Sequence, residues 1–136
     1  GWSVYRRMAA PPLLVASAFT RDPQKRLKLA TDLFRSFPFG PPSYEWRDIV
    51  SSDGAIAFDC VKCPVAEFFA SHDASDLCVE TFCRLDFPLA EAWGGQLKRS
   101  GTIASGAQRC DFRWYPRSPV DEQEVERPVS TPSKET

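Results

Sequence analysis

Apolar residues recur along this chain with two different periods, and the changes of period lay out its elements. Leu27, Ala30, Leu33, Phe34 and Phe37 follow one another at helical spacing, with Lys25, Arg26, Lys28, Asp32 and Arg35 on the other face. Asp22-Pro23 ahead of them reads as an N-cap followed by Pro at the first helical position. Pro38, Gly40, Pro41 and Pro42 predict an end near Phe37. Residues 43–61 alternate instead. Tyr44 and Trp46 interleave with Glu45 and Arg47, Ser51-Ser52-Asp53-Gly54 reads as a turn, and Ile56, Phe58 and Cys60 share a face on the returning strand.

Cys63-Pro64 then opens a short helix, with Cys63 at the N-cap, Pro64 at N1, and Phe68 and Phe69 as its anchors. A longer helix capped by Ser75 or Asp76 runs to about Trp93 on the stripe Cys78, Phe82, Leu85, Leu89, Trp93. Pro88 falls inside it and predicts a kink or break near Phe87, and Gly94-Gly95 ends it. A second hairpin, 97–103 and 108–114 around Ala104-Ser105-Gly106-Ala107, puts Cys110, Phe112 and Trp114 on one face. Arg109, Asp111 and Arg113 fall on the other.

The ends are less patterned. Residues 1–21 read as a loop docked on the core; Arg6 and Arg7 before an Ala-rich run loosely resemble an export signal, but Pro11-Pro12 interrupts it. From Pro116 the chain is rich in Pro, Ser and Glu and has almost no large apolar side chains, which predicts a disordered tail over 116–136. The fold class expected is α+β: an antiparallel sheet of about four strands from two hairpins, with helices on one face. The 136 residues suit a single domain, 1–115, followed by that tail.

Charge removes some functions. Lys+Arg total 17 against Asp+Glu 18, so no basic excess exists to neutralise phosphates and nucleic acid is not an expected partner. No apolar run is long enough to span a membrane, and none is expected as a partner. Five cysteines, an odd number in a chain with a full apolar core, point to free thiols in the cytoplasm rather than a disulfide scaffold. Cys60-x-x-Cys63 has the spacing of half a zinc knuckle; Cys78 and Cys83 make a poor second half.

Cys63 is the most informative position. A thiol at a helix N-terminus meets unpaired amides and the positive end of the dipole, and Lys62 adds a neighbouring charge, so its pKa should fall. Glu67, one turn on, is a candidate proton carrier. Cys83 and Asp86 form a second constellation three residues apart, with Asp86 at the border of an apolar stripe, where a carboxyl pKa rises. His72 is the single histidine and sits in a polar linker, where a dyad with Cys63 is conceivable.

Taken in order, FDCVKCPVAEFF, LCVETFCRLDFPLAEAWG and KRSGTIASGAQRCDFRW resemble the L-2-amino-thiazoline-4-carboxylic acid hydrolase family. The pattern of Cys-Pro with a following Glu, Cys-x-x-Asp-Phe, and Arg-x-Gly-Thr leading through a Gly turn to Cys-Asp-Phe falls on Cys63, Pro64, Glu67, Cys83, Asp86, Phe87, Arg99, Gly101, Thr102, Gly106, Cys110, Asp111 and Phe112. Cys60, Cys78 and Pro88 lie outside it, and members commonly carry more helix before the first hairpin.

The resemblance implies hydrolytic opening of a small cyclic amidine or thiazoline at a C–N or C–S bond, giving an N-carbamoyl cysteine in the named reaction. It implies Cys63, Glu67, Cys83 and Asp86 as catalytic residues. Arg99, Thr102, Cys110 and Asp111 are implied to bind substrate, with Arg99 gripping a carboxylate. The partner expected is a small-molecule substrate. No metal ligands are assigned, a divalent metal is left open as cofactor, and so is a homo-oligomer. Two other readings stay open from the residues: a non-catalytic small-molecule binding module, and an interaction domain with zinc held by Cys60, Cys63, Cys78 and Cys83.

Overall fold

The computed structural model describes residues 2–117. Two helices precede the sheet. α1 (Trp2–Phe19) occupies the stretch that reads as a loop from sequence. Pro11 and Pro12 each remove an amide donor from its interior, but the segment is rich in alanine, the strongest helix former, and it packs on α2 (Pro23–Ser36) with Ala16 fully buried. Tertiary packing overrides the local breaker. Among the described residues no helix is long and apolar enough to cross a membrane.

α2 begins as expected. The Asp22 carboxylate accepts from the amides of Gln24 (2.9 Å) and Lys25 (3.0 Å), which satisfies two of the donors that a helix start leaves free. Leu27, Ala30 and Phe34 form the buried stripe; Phe37 lies just past the end and is exposed.

β1 (Glu45–Ile49) and β2 (Ile56–Lys62) form the first hairpin, with Gly54 at φ +77° in its turn. β3 (Gly95–Lys98) and β4 (Cys110–Pro116) complete an antiparallel sheet in the order β1-β2-β4-β3. The second hairpin is wider than the sequence suggests. Residues 99–109 leave the ladder, for a local reason. Asp111 accepts from the amides of Ser100 (3.0 Å) and Gly101 (2.9 Å), and Thr102 and Ser105 cap one another's backbone across the 3-10 turn Ile103–Ser105. Amides engaged by side chains cannot also pair with a neighbouring strand. Hydrogen bonds from Ser100 and Gly101 hold the Asp111 carboxyl below its ordinary range, although burial pushes the other way.

α3 (Pro64–Ser71), α4 (Ser75–Thr81) and α5 (Asp86–Ala92) connect the hairpins. Cys63 is the N-cap of α3 and Pro64 its first residue, as read. Of the two expected α3 anchors, Phe69 packs against Phe82 at 5.6 Å while Phe68 is exposed, and Ala66 is the buried residue beside them. α4 is capped by Ala74 rather than Ser75 or Asp76, neither of which acts as a cap. The break in the long helix lies one turn before the expected place, at the 3-10 turn Cys83–Leu85, and Pro88 falls in the first turn of α5. In a continuous helix the Pro88 ring would collide with the carbonyl four residues back, at Arg84, so the distortion sits there. β4 extends to Pro116, and Arg117 donates its amide to Gly94 O at 3.0 Å, so the first two residues of the expected tail belong to the fold. Residues 118–136, the rest of that expectation, lie outside the described residues.

Two apolar clusters result. The larger joins α2 and α5 to one face of the sheet through Leu27, Phe34, Leu89, Trp93, Phe58 and Trp114. The smaller joins α3, α4 and the 99–109 loop through Ala66, Cys78 and Ala104. Helices α3 and α4 therefore pack chiefly on each other and on the 99–109 loop. Cys63 and Ile103 touch both clusters. Gly95, where α5 hands over to β3, sets how closely α2 can approach. A Cβ there would lie 2.9 Å from Leu27 Cδ2 and 2.9 Å from the Tyr115 carbonyl oxygen. Gly95→Ala is expected to destabilise the fold by about 1–3 kcal/mol, because the backbone oxygen cannot rotate away. Urea denaturation measures it, and a loss below about 0.5 kcal/mol would show that the sheet yields.

Candidate active site

A departure from regular strand pairing builds the site. Trp46 stands opposite Cys60, but Glu45 stands opposite Lys62, so Val61 is an extra residue on β2. Strict alternation would send the side chains of positions 60 and 63 to opposite faces. A one-residue bulge reverses the alternation, and the thiols of Cys60 and Cys63 come within hydrogen-bonding reach of each other. On the other side of β2, Cys60 stands directly opposite Cys110 of β4.

These sulfurs face a small cleft, partly open to solvent, between the two apolar clusters. All five cysteines line it. Its aromatic wall comes from Phe34 and Phe39, then Tyr44 and Trp46 stacked at 6.1 Å, then Phe112 against Trp46 at 5.8 Å. Trp46 Nε1 donates to Phe39 O (2.7 Å), which fixes the ring. Asp86 and Arg99 are the charged side chains in the lining. Arg99 Nη1 donates to Asp86 Oδ2 (2.7 Å) and Nη2 to the Cys83 carbonyl (2.6 Å). Its guanidinium lies between the rings of Phe87 and Phe112, 5.1 and 5.3 Å from their centroids.

The thiols are not equivalent. The Cys60 thiol donates toward Cys63 and, with the first-turn amides of Ala66 and Val65, holds the Cys63 thiol down at about 6 against the opposing effect of burial. The same Cys60 donor lowers Cys110, helped by the Ile103 amide at 3.2 Å. A thiol has one proton, so Cys60 cannot serve both at once, and the Lys62 carbonyl at 3.2 Å competes for it as well. Two thiolates in one small cleft also repel each other. Cys63 is the better place for the negative charge, since helix-start amides solvate it and it is half-exposed, whereas Cys110 is buried. Cys60, hydrogen-bonded to Cys110 and Cys63, is raised and stays a thiol. Burial pushes Cys83 up to about 12 and raises Cys78 too. Tyr44, raised by burial and then by the charge on Cys63, keeps its hydroxyl proton.

Of the residues singled out from sequence, Cys63, Cys83, Asp86, Arg99 and Cys110 come together in this cleft. Cys83 and Asp86 share a wall because residues three apart are eclipsed in a 3-10 turn. Glu67 is exposed and does not line the cleft. Thr102 and Asp111 lie outside the lining too and shape the 99–109 loop instead. His72 is exposed on the far end of α3, where its Nδ1 sits 2.8 Å from Phe68 O, so it makes no dyad with Cys63. Among the described residues no group of three or more His, Cys, Asp or Glu converges as a metal site, although Cys60, Cys63, Cys78 and Cys83 share the wall. Sequence reasoning placed Tyr44 and Trp46 in a strand and missed them as site residues. Their large amphipathic rings beside a Cys-Pro helix start were the available signal.

An α+β protein with a stabilised thiolate in an aromatic cleft is what the fold and the site define. The chain belongs to the L-2-amino-thiazoline-4-carboxylic acid hydrolase family, whose family model matches residues 13–114. That span takes in the C-terminal part of α1, all of the sheet but the end of β4, and every cleft residue. Comparison with curated proteins and with solved structures finds no match.

Proposed function

We propose that this protein is a hydrolase that opens a small cyclic amidine or thiazoline, with Cys63 as nucleophile. The observation that carries the reading is the Cys63 sulfur at the start of α3, lowered to about 6 and facing the cleft. At neutral pH such a thiol is mostly thiolate, the reactive form. In the first step Sγ bonds to the amidine carbon. The ring C–S bond breaks, and its electron pair leaves with the ring sulfur, which takes a proton from solvent. Water then adds to the same carbon, giving one proton to an amidine nitrogen and returning the other to solvent. The carbon–Sγ bond breaks and its electron pair returns to Cys63. The net change is addition of one water to give an N-carbamoyl thiol, the outcome the family name implies.

Tyr44 has a different part. Its raised pKa keeps the hydroxyl proton in place, so it can donate a hydrogen bond to an amidine nitrogen as the carbon becomes tetrahedral. Glu67, Thr102 and Asp111 have no direct role in this scheme, and Cys110 forms the wall behind the nucleophile. Five free thiols suit a reducing compartment such as the cytoplasm.

Two measurements test the reading together. Intact-mass analysis after incubation with 2-amino-thiazoline compounds is expected to show ring-opened product or an adduct mapped to Cys63. Iodoacetamide modification of Cys63 is expected to rise with pH, with a midpoint near 6, where a packing cysteine would stay inert into the alkaline range. Absence of both product and adduct, with a midpoint in the ordinary thiol range, rejects the assignment. Stability follows with a definite sign. The folded pKa lies below the unfolded one, so the thiolate contribution is complete above the ordinary thiol range and is lost as pH falls through about 6.

A further inference from the structure

Two stretches of the chain carry opposite charge, and both expose large apolar side chains. Residues 1–21 hold three arginines and no acid. Residues 64–83 hold four acids, Glu67, Asp73, Asp76 and Glu80, and neither lysine nor arginine. In the first stretch Val4, Arg7, Pro11, Leu14, Val15 and Ala18 fall on one face of α1 at helical spacing, and all are exposed, Leu14 at 70%. This face points away from Ala16, which is buried where α1 packs on α2. A helix that is apolar on both sides needs cover on both, and α2 covers one. In the second stretch Phe68 of α3 and Leu77 of α4 are 61% and 55% exposed, each directly after an exposed acid, Glu67 and Asp76. Glu80 is paired with Arg84, but among the described residues Arg6, Arg7, Glu67, Asp73 and Asp76 make no ion pair.

We propose that α1 of one copy of this chain docks on the α3–α4 face of a second copy, with Arg6 and Arg7 against the acids and the Leu14 stripe against Phe68 and Leu77. Contiguous exposed apolar surface marks an interaction site, and opposed patches of charge choose the partner and fix its orientation. Within one chain α1 packs on α2, while α3 and α4 pack on each other and on the 99–109 loop, so both charged faces stay exposed. A second copy is the occupant because every chain carries both halves. Two copies related by a twofold axis make the contact twice and leave neither half uncovered. Glu67, which the family resemblance places in the catalytic set and the cleft leaves out, gains a role in this contact. Phe82, 45% exposed at the end of α4, also lines the cleft, so the docked helix borders its mouth. The contact goes beyond the hydrolase reading and does not depend on it.

Sedimentation equilibrium of the full chain at micromolar concentration is expected to give the mass of two chains. Arg6→Glu with Arg7→Glu, and separately Glu67→Lys with Asp76→Lys, set like charges face to face, and each pair of changes is expected to weaken the dimer at least about tenfold. An equimolar mixture of the two variants is expected to restore the two-chain mass, because the acidic α1 of one then meets the basic α3–α4 face of the other, and the reverse. A single-chain mass for the unaltered protein overturns the proposal. So does a dimer that either reversal leaves unchanged, or a mixture that stays monomeric. Glu67 and Asp76 lie in the first turns of their helices, where a reversed charge weakens the helix, so circular dichroism accompanies these variants. Leu14→Ser alters an exposed position and gives a second reading. It is expected to weaken the dimer about tenfold, and an unchanged dimer removes α1 from the contact. Co-sedimentation with vesicles of phosphatidylserine and phosphatidylcholine is the remaining arm. Binding that requires Arg6 and Arg7, by a chain that is monomeric in solution, assigns α1 to an anionic bilayer and overturns the proposal.

Discussion

Cys63→Ser is expected to lose ring opening by about three orders of magnitude or more while leaving the protein about as stable as before. Removing a nucleophile commonly costs that much or more in turnover. The stability half comes from the N-cap. The Val65 and Ala66 amides face the Cys63 sulfur, and serine, among the strongest N-cap residues, can accept from the same amides and so offset the thiolate contribution that is lost. Cys63→Ala should lose turnover to the same extent without gaining the cap. Cys110→Ala is the control that separates the two lowered thiols: activity within about tenfold of the native protein is expected, because Cys110 is a wall. Undiminished turnover in Cys63→Ser together with loss in Cys110→Ala would move the nucleophile to β4. Activity and denaturation curves on the same preparations read both halves.

The second large effect is on stability. Asp86→Ala is expected to destabilise the fold by about 3–5 kcal/mol, the usual consequence of stranding one member of a buried ion pair. Arg99 and Asp86 side chains are 5% and 14% exposed, so solvent screens little of the loss. The guanidinium would keep its bond to the Cys83 carbonyl but carry a charge without a counterion, between two phenylalanine rings. Against a typical total stability of about 5–15 kcal/mol this is a large fraction. The double variant Asp86→Leu with Arg99→Met should recover most of the loss, since apolar replacement of a whole buried pair is often neutral or stabilising. Guanidinium denaturation midpoints measure both variants against the native protein. A single-variant loss below about 1 kcal/mol would mean that water reaches the pair.

Much of the architecture is readable locally because the signals are local. Asp22-Pro23 starts α2 through two hydrogen bonds within three residues. Gly54 takes the positive φ of the first turn, and Cys63-Pro64 places a thiol at a helix start whatever lies around it. Where local rules failed, a distant contact had overruled them. α1 runs through Pro11-Pro12 because α2 supplies a surface for Ala16, and residues 99–103 leave the ladder because Asp111, ten residues on, takes the Gly101 amide.

The candidate site divides the same way. From the chain alone came the α+β class, the position of Cys63 on its helix, the Cys83–Asp86 spacing and the family resemblance, since each depends on neighbours a few residues apart. The sheet decided the rest. An extra residue at Val61 turns Cys63 toward Cys60, cross-strand pairing brings Cys110 beside them, and Tyr44 and Trp46 close the wall. The same packing leaves Glu67 and His72 outside and joins Arg99 to Asp86 across thirteen residues. Strand register and charge pairing are set by the free energy of the whole packed structure, so spacing along the chain cannot reveal which thiol keeps its proton or which arginine is already engaged.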